Sequence, residues 1–193
     1  MKFLVFDVGG TAIKYALMND KTDIIEKGHI PTPLNSFDEF ITTIGSVYDQ
    51  YTDKIKGMAL SMPGRVDSEN GFSYFGGSLK YNDDRNIVAL LHQRCPVPIT
   101  IENDCKCAAL AEAWIGSLSD CRNGLVITLG TAVGGGIIIN RELYKGSHFQ
   151  SGEVSHIITD HDVSNEDKPL FWWNHGSAQR LCQTVARTKN LPI

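Results

Sequence analysis

Apolar residues open the chain in short runs. Lys2–Asp7 and Ala12–Met18 are mostly apolar and are parted by Val8, Gly9, Gly10 and Thr11, the pattern of two strands joined by a tight glycine turn. Asp23–Ile30 is read as a third strand. "PTPLNS" then breaks the chain, and the period changes: between Phe37 and Tyr51, apolar residues such as Phe40, Ile44, Val47 and Tyr48 recur at helical spacing, with Ser36 placed to cap. Lys56–Ser61 predicts another strand, followed by a turn-rich stretch with Pro63, Gly64, Asn70 and Gly71. Asn86–Gln93 is helix-like, Ile99–Glu102 strand-like, and Asn103–Ile115 an alanine-rich helix. The order β-β-β-α-β-α-β-α suggests a mixed sheet flanked by helices. Leu125–Leu129 and Ile137–Asn140 then restart the hairpin pattern around glycines 130 to 136. Val154–Thr159 is read as a further strand, Asp160–Lys168 as a polar loop and Ser177–Lys189 as a helix. Two domains are expected, 1–117 and 118–193.

Composition narrows this only a little. With 193 residues, 42% hydrophobic and 21% charged, the chain has the make-up of a globular protein. A formal net charge of -4 with scattered Lys and Arg gives no basic stripe, so nucleic acid is not an expected partner. No apolar run approaches the roughly 20 residues of a membrane span, and Met1–Phe6 lacks the plan of a signal peptide. A cytoplasmic location with no membrane partner is expected. The five cysteines include no CxxC pair and are read as reduced thiols, mostly buried.

The two glycine segments point to chemistry. Around Gly9 and Gly10 no side chain blocks the backbone N–H groups, and Thr11 and Lys14 add donors, which suits phosphate oxygens. Asp7 would repel a phosphate directly, but through water it could hold a magnesium ion that bridges to one. Gly130, Thr131, Gly134, Gly135 and Gly136 repeat the construction. Either segment alone is most simply a structural hairpin. Two of them, each with a threonine, suggest two lobes that present phosphate loops to a shared cleft.

The segments "FDVGGTAIKYAL", "MPGRVD", "IENDCKCAALAEAWIG", "ITLGTAVGGGIIINRELYKG" and "SGEVSHI" stand in the order and spacing of the ROK sugar kinases, which the chain resembles from Met1 to about Asp160. "MPGRVDSENGFSYFGGSL" and "SGEVSHIITD" look closest to the branch acting on β-glucosides such as cellobiose. The resemblance implies an actin-like (ribonuclease H-like) α/β fold of two domains, the second incomplete here, with ATP and Mg2+ as cofactors and a small-molecule sugar as partner. A homodimer is compatible with it. It makes Asp104 the catalytic base, for which the bland alternative is a carboxylate at a helix start. It also brings Asn103, Glu153, His156 and the loop at Gly76 and Gly77 to the sugar. The bland alternatives are an N-cap for Asn103, a satisfied core residue for His156 and a plain turn for the two glycines.

The chain departs from that family in two ways. Where many ROK proteins carry a CxCGxxGC zinc cluster, this sequence reads "FWWNHGSAQRL", and His156, His161 and His175 without thiolates do not make a tetrahedral set, so no zinc site is expected. Gln179 stands where a sugar-touching glutamate commonly follows the cluster, and Phe171, Trp172 and Trp173 are read as packing, with a sugar-stacking platform as the alternative. The chain is also short. From Gly124 onward about 70 residues remain, few for a domain with its own core. The expected function is therefore ATP-dependent transfer of the γ-phosphate to a hydroxyl of a hexose or β-glucoside. The competing reading is an inactive, truncated ROK-type sugar-binding or regulatory protein.

Overall fold

The computed structural model describes residues 1–162 and 168–191. The chain forms two compact units, Met1–Asp104 and Cys105–Ile193. The first contains β1 (Lys2–Val8), β2 (Ala12–Asn19), β3 (Ile24–Pro31), α1 (Phe37–Asp49), β4 (Met58–Met62), β5 (Arg65–Asp67), β6 (Phe72–Phe75), β7 (Arg85–Asn86), α2 (Ile87–Arg94) and β8 (Ile99–Asn103). Its main sheet has the order β3-β2-β1-β4-β8. The first three strands run antiparallel to one another in chain order, whereas β4 and β8 join β1 in parallel, as their helical crossovers require.

Alternation along β1 turns Leu4, Phe6 and Val8 inward, where they share a core with Phe40, Ile44 and Val47 of α1 and Ile87 and Leu91 of α2. Ser36 Oγ accepts the backbone N–H of Glu39 and so starts α1 as the sequence predicts. The turn-rich stretch after β4 is not all turn. Asp67 Oδ1 accepts the N–H groups of Glu69 and Asn70, at 3.1 Å each, and closes a tight bend between β5 and β6. These two strands and β7 form a small separate sheet.

The second unit comprises the rest of α3 (Asp104–Ile115), then β9 (Gly124–Leu129), β10 (Val133–Ile139), β11 (Glu142–Tyr144), β12 (Ile158–Asp162), β13 (Lys168–Phe171), α4 (Trp172–His175) and α5 (Ala178–Lys189). The helix α3, expected to close the first domain, packs with β10: a Cβ on Gly136 would stand 2.6 Å from Ala109 Cβ. Three expectations are corrected here. Strand β10 begins at Val133, not Ile137, and contains the glycine triplet. Val154–His156 is a single 3-10 turn, not a strand, because Gly152 at φ +83° turns the backbone just before it. Asp160–Asp162 belongs to a strand and not to the polar loop, the remainder of which, 163–167, lies outside the described residues.

Few apolar side chains are buried in this unit. Among the described residues they are Ala109, Val133, Ile138 and Ala186. On β9, Leu125, Ile127 and Leu129 all point outward, with 51%, 42% and 60% of their surface exposed. The opposite face of the strand carries Thr128, whose Oγ1 lies 3.0 Å from Cys105 Sγ on α3.

Candidate active site

Parallel pairing of β1, β4 and β8 brings their carboxyl-terminal ends to one rim of the first sheet. Asp7 is level with Ser61, Ser61 with Glu102, and Met62 with Asn103. Ligands of open α/β sheets bind at such ends. The Asp7 carboxylate is exposed there, accepts from Ser61 Oγ at 3.3 Å and lies 3.4 Å from Lys14 Nζ. Beyond it the turn between β1 and β2 is fixed by its own backbone. Gly9 N–H donates to Ala12 O at 3.1 Å, Thr32 Oγ1 donates to Gly9 O at 2.6 Å, and Thr32 N–H reaches Thr11 O. Gly10, Thr11 and Lys14 are left exposed. Neither Gly9 nor Gly10 has a positive φ, so what they contribute is bareness and not an unusual backbone.

Three loops meet in this rim. A Cβ on Gly10 would lie 3.1 Å from Ser78 Oγ, which places the loop holding Gly76 and Gly77 beside the first glycine turn. That loop presses backbone to backbone on the turn after β4, where a Cβ on Gly64, at φ +95°, would fall 1.9 Å from Phe75 O; the loop is also tight within itself, since a Cβ on Gly76 would fall 2.2 Å from Leu79 O. Gly76 N–H also donates to Asp83 Oδ1 at 2.7 Å. Asn103, 4% exposed, donates from Nδ2 to Gly64 O at 2.9 Å. Its own N–H donates to Glu102 Oε1, whose other oxygen accepts from Ser68 Oγ. Asp104 follows as the exposed first residue of α3, where the helix dipole favours a negative charge.

In the second unit the exposed bend between β9 and β10 is Gly130–Thr131–Ala132. Gly130 N–H donates to Ala132 O, and Gly130 O accepts the N–H of Ala178, the first residue of α5. Gly134, Gly135 and Gly136 are buried within β10. Packing explains them. Gly134 and Gly136 face Cys105 and Ala109, while Gly135 faces Gly152 O, 2.9 Å from where its Cβ would be. Glu153, partly buried, precedes the 3-10 turn, and Lys106 Nζ lies 3.3 Å from its Oε1. His156 is exposed, not a satisfied core residue. Its ring stands edge to face with Phe171, centroids 6.4 Å apart. Trp173 is 45% exposed, and the side chains of His161, His175 and Gln179 lie outside the described residues.

The sequence profile of the ROK family matches residues 4–179. The chain belongs to the ROK family. A β-glucoside kinase of Listeria monocytogenes is 34% identical over 160 residues, which are 83% of this chain and 54% of that protein. An N-acetyl-D-glucosamine kinase of Mannheimia succiniciproducens is 32% identical over 185 residues, 92% of this chain and 60% of the relative. Among solved structures, the Lmo2764 protein of Listeria monocytogenes superposes with a TM-score of 0.87 at 30% identity, over all of this chain and 66% of that one. The chain thus spans about half the length of the curated β-glucoside kinase it matches. Its architecture is the mixed α/β, actin-like fold of ROK sugar kinases.

In each unit of this ROK chain, some residues escape sequence reasoning. Ser61, Gly64, Ser78 and Asp83 shape the loops, yet each reads as an ordinary turn or strand residue. Pro63–Gly64 marks a bend but not what presses on it. Lys106 on an alanine-rich helix reads as a solvated lysine, although it is only 1% exposed. Among the described residues no helix is long and apolar enough to cross a membrane.

Proposed function

We propose that this chain transfers the γ-phosphate of ATP to a sugar hydroxyl, with β-glucosides such as cellobiose as the first substrates to test. The observation that supports this most is the rim of the first sheet. Strand register sets Asp7 and the bare turn at Gly9 and Gly10 at the end of β1, and the Asn103–Asp104 pair at the end of β8, with β4 between them. In the reaction Asp104 orients the sugar hydroxyl and takes its proton late, as the oxygen bonds to the γ-phosphorus and the bond to the bridging oxygen of ADP breaks. Positioning and charge neutralisation supply most of the acceleration. Gly10, Thr11 and Lys14 offer donors to phosphate oxygens, as does Thr131, while Gly9 and Gly130 close the two bends through their own N–H groups and Gly134 and Gly135 support the second bend from within the strand.

The exposed Asp7 carboxylate fits a hydrated magnesium ion, which when bound would neutralise phosphate charge. Asn103, the loop at Gly76 and Gly77, Glu153 and His156 are assigned to the sugar. The hydrogen bond from Asn103 Nδ2 to Gly64 O gives it a second task, holding the loop that Gly76 and Gly77 lean on. A coupled ADP-release assay with glucose, N-acetylmannosamine, fructose and cellobiose tests the proposal. Asp104→Asn is expected to lower kcat by about 10²- to 10⁴-fold. Turnover by the variant at the parental rate would remove the base. Sugar binding without turnover is a second reading, favoured by the small buried core of the second unit. Calorimetric binding of a sugar with no ADP release by the parent would decide for it.

A further inference from the structure

Lysine is almost never fully buried unless it is paired, and Lys106 is 1% exposed in the first turn of α3. Its ammonium lies 3.3 Å from Glu153 Oε1, on a segment 47 residues further along. The glycine strand explains how the two meet. Gly136 brings α3 so close that a Cβ there would be 3.4 Å from Lys106 Cα, and Gly135 brings in the backbone of Gly152 from the other face. Helix and turn are thus clamped on one strand, with the ion pair between their side chains. Glu153 keeps 28% of its side chain exposed, so one end of the carboxylate is held and the group still reaches solvent.

We infer that Lys106 is a positioning residue: it holds Oε1 of Glu153 so that the other oxygen, Oε2, is presented to a sugar hydroxyl. The inference rests on the sugar-kinase reading and deepens it. A flexible glutamate would lose rotamer freedom on each binding event, whereas one fixed beforehand does not. Surface pairs cannot do this because solvent and motion loosen them; a buried cation is bound to its partner by the cost of leaving it alone.

Steady-state kinetics of the 193-residue chain, with sugar and ATP varied separately, tests this on Lys106→Met, Lys106→Arg, Glu153→Gln and the Met/Gln double variant. Methionine fills the buried space without charge, and thermal midpoints verify that each variant folds. A misdirected hydrogen bond to a charged group is worth on the order of tenfold. Lys106→Met is therefore expected to raise the sugar KM by about tenfold, with the KM for ATP within about twofold of the parent. Lys106→Arg should recover part of the loss, and the double variant should be no worse than Glu153→Gln alone. A parental sugar KM in Lys106→Met beside an impaired Glu153→Gln would overturn the inference and leave the kinase reading intact. So would equal rises in both KM values, which mean general loosening. If the parent neither releases ADP nor binds any of the sugars by calorimetry, the kinase reading falls and this inference falls with it.

Discussion

Buried hydroxyls and a thiol make the first unit sensitive to alkali. Burial, and after it the neighbouring Glu26, pushes the Tyr51 hydroxyl from 10.0 to about 12. Burial and then Glu39 do the same for Tyr81, whose hydroxyl donates to Pro33 O at 2.8 Å. Burial raises Cys95 from 9.0 to about 11, against the pull of Arg94. Each group keeps its proton in the folded chain at pH values where the unfolded chain has lost it. The stabilisation is complete below the unfolded values and disappears as pH rises through the folded ones. Urea midpoints should therefore stay level up to about pH 9 and fall between about pH 9 and pH 12, with Tyr51→Phe reducing the slope. A level midpoint throughout that range contradicts the burial of these groups. Asp104 and Asn103 differ from them in kind, since the first is open to solvent and the second is tied to a loop. Exchange at 104 should act on the chemistry, while exchange at 103 should also disturb the backbone around Gly64.

Secondary structure was legible where local pattern and tertiary demand agree. The opening hairpin, α1 with its serine cap and the β8–α3 junction all follow from spacing and capping. Strand β10 was not legible over its first half, because three glycines in a row read as a turn. They are glycines for contact and not for bending: helix and loop come so close that neither face has space for a side chain. The same holds for β5 and β6, where an aspartate making an Asx turn hides a hairpin inside apparently irregular chain. In the candidate site the two bends stand out because glycines beside a threonine are a local signal, whereas Asp104 reads locally as a carboxylate at a helix start and is singled out only by the resemblance to ROK kinases. The Lys106–Glu153 pair was invisible because nothing in sequence links residues so far apart. Gly136→Val tests the contact role of the triplet. It should destabilise the second unit by about 1–3 kcal/mol through overpacking against Ala109, seen as a lower thermal midpoint for that unit. An unchanged midpoint would mean that the helix can back away at no cost.

The contiguous apolar core lies within residues 4–101, so the two units are unequal in what holds them together. Stability follows buried apolar area, and the second unit has little among its described residues. Hydrogen exchange should accordingly show fast amides in β9–β11 and α5 and slow ones in β1, β4 and β8, with two separate steps in denaturant. One cooperative transition with uniform protection would refute this inequality. Leu125, Ile127 and Leu129 have a further consequence at this scale. Three aliphatic side chains in line on one pleated surface form the kind of patch that captures hydrophobic dyes and draws copies together as concentration rises. The protein should therefore brighten anilinonaphthalene sulfonate while still folded, and lysine or threonine at those three places should keep it in solution at higher concentrations.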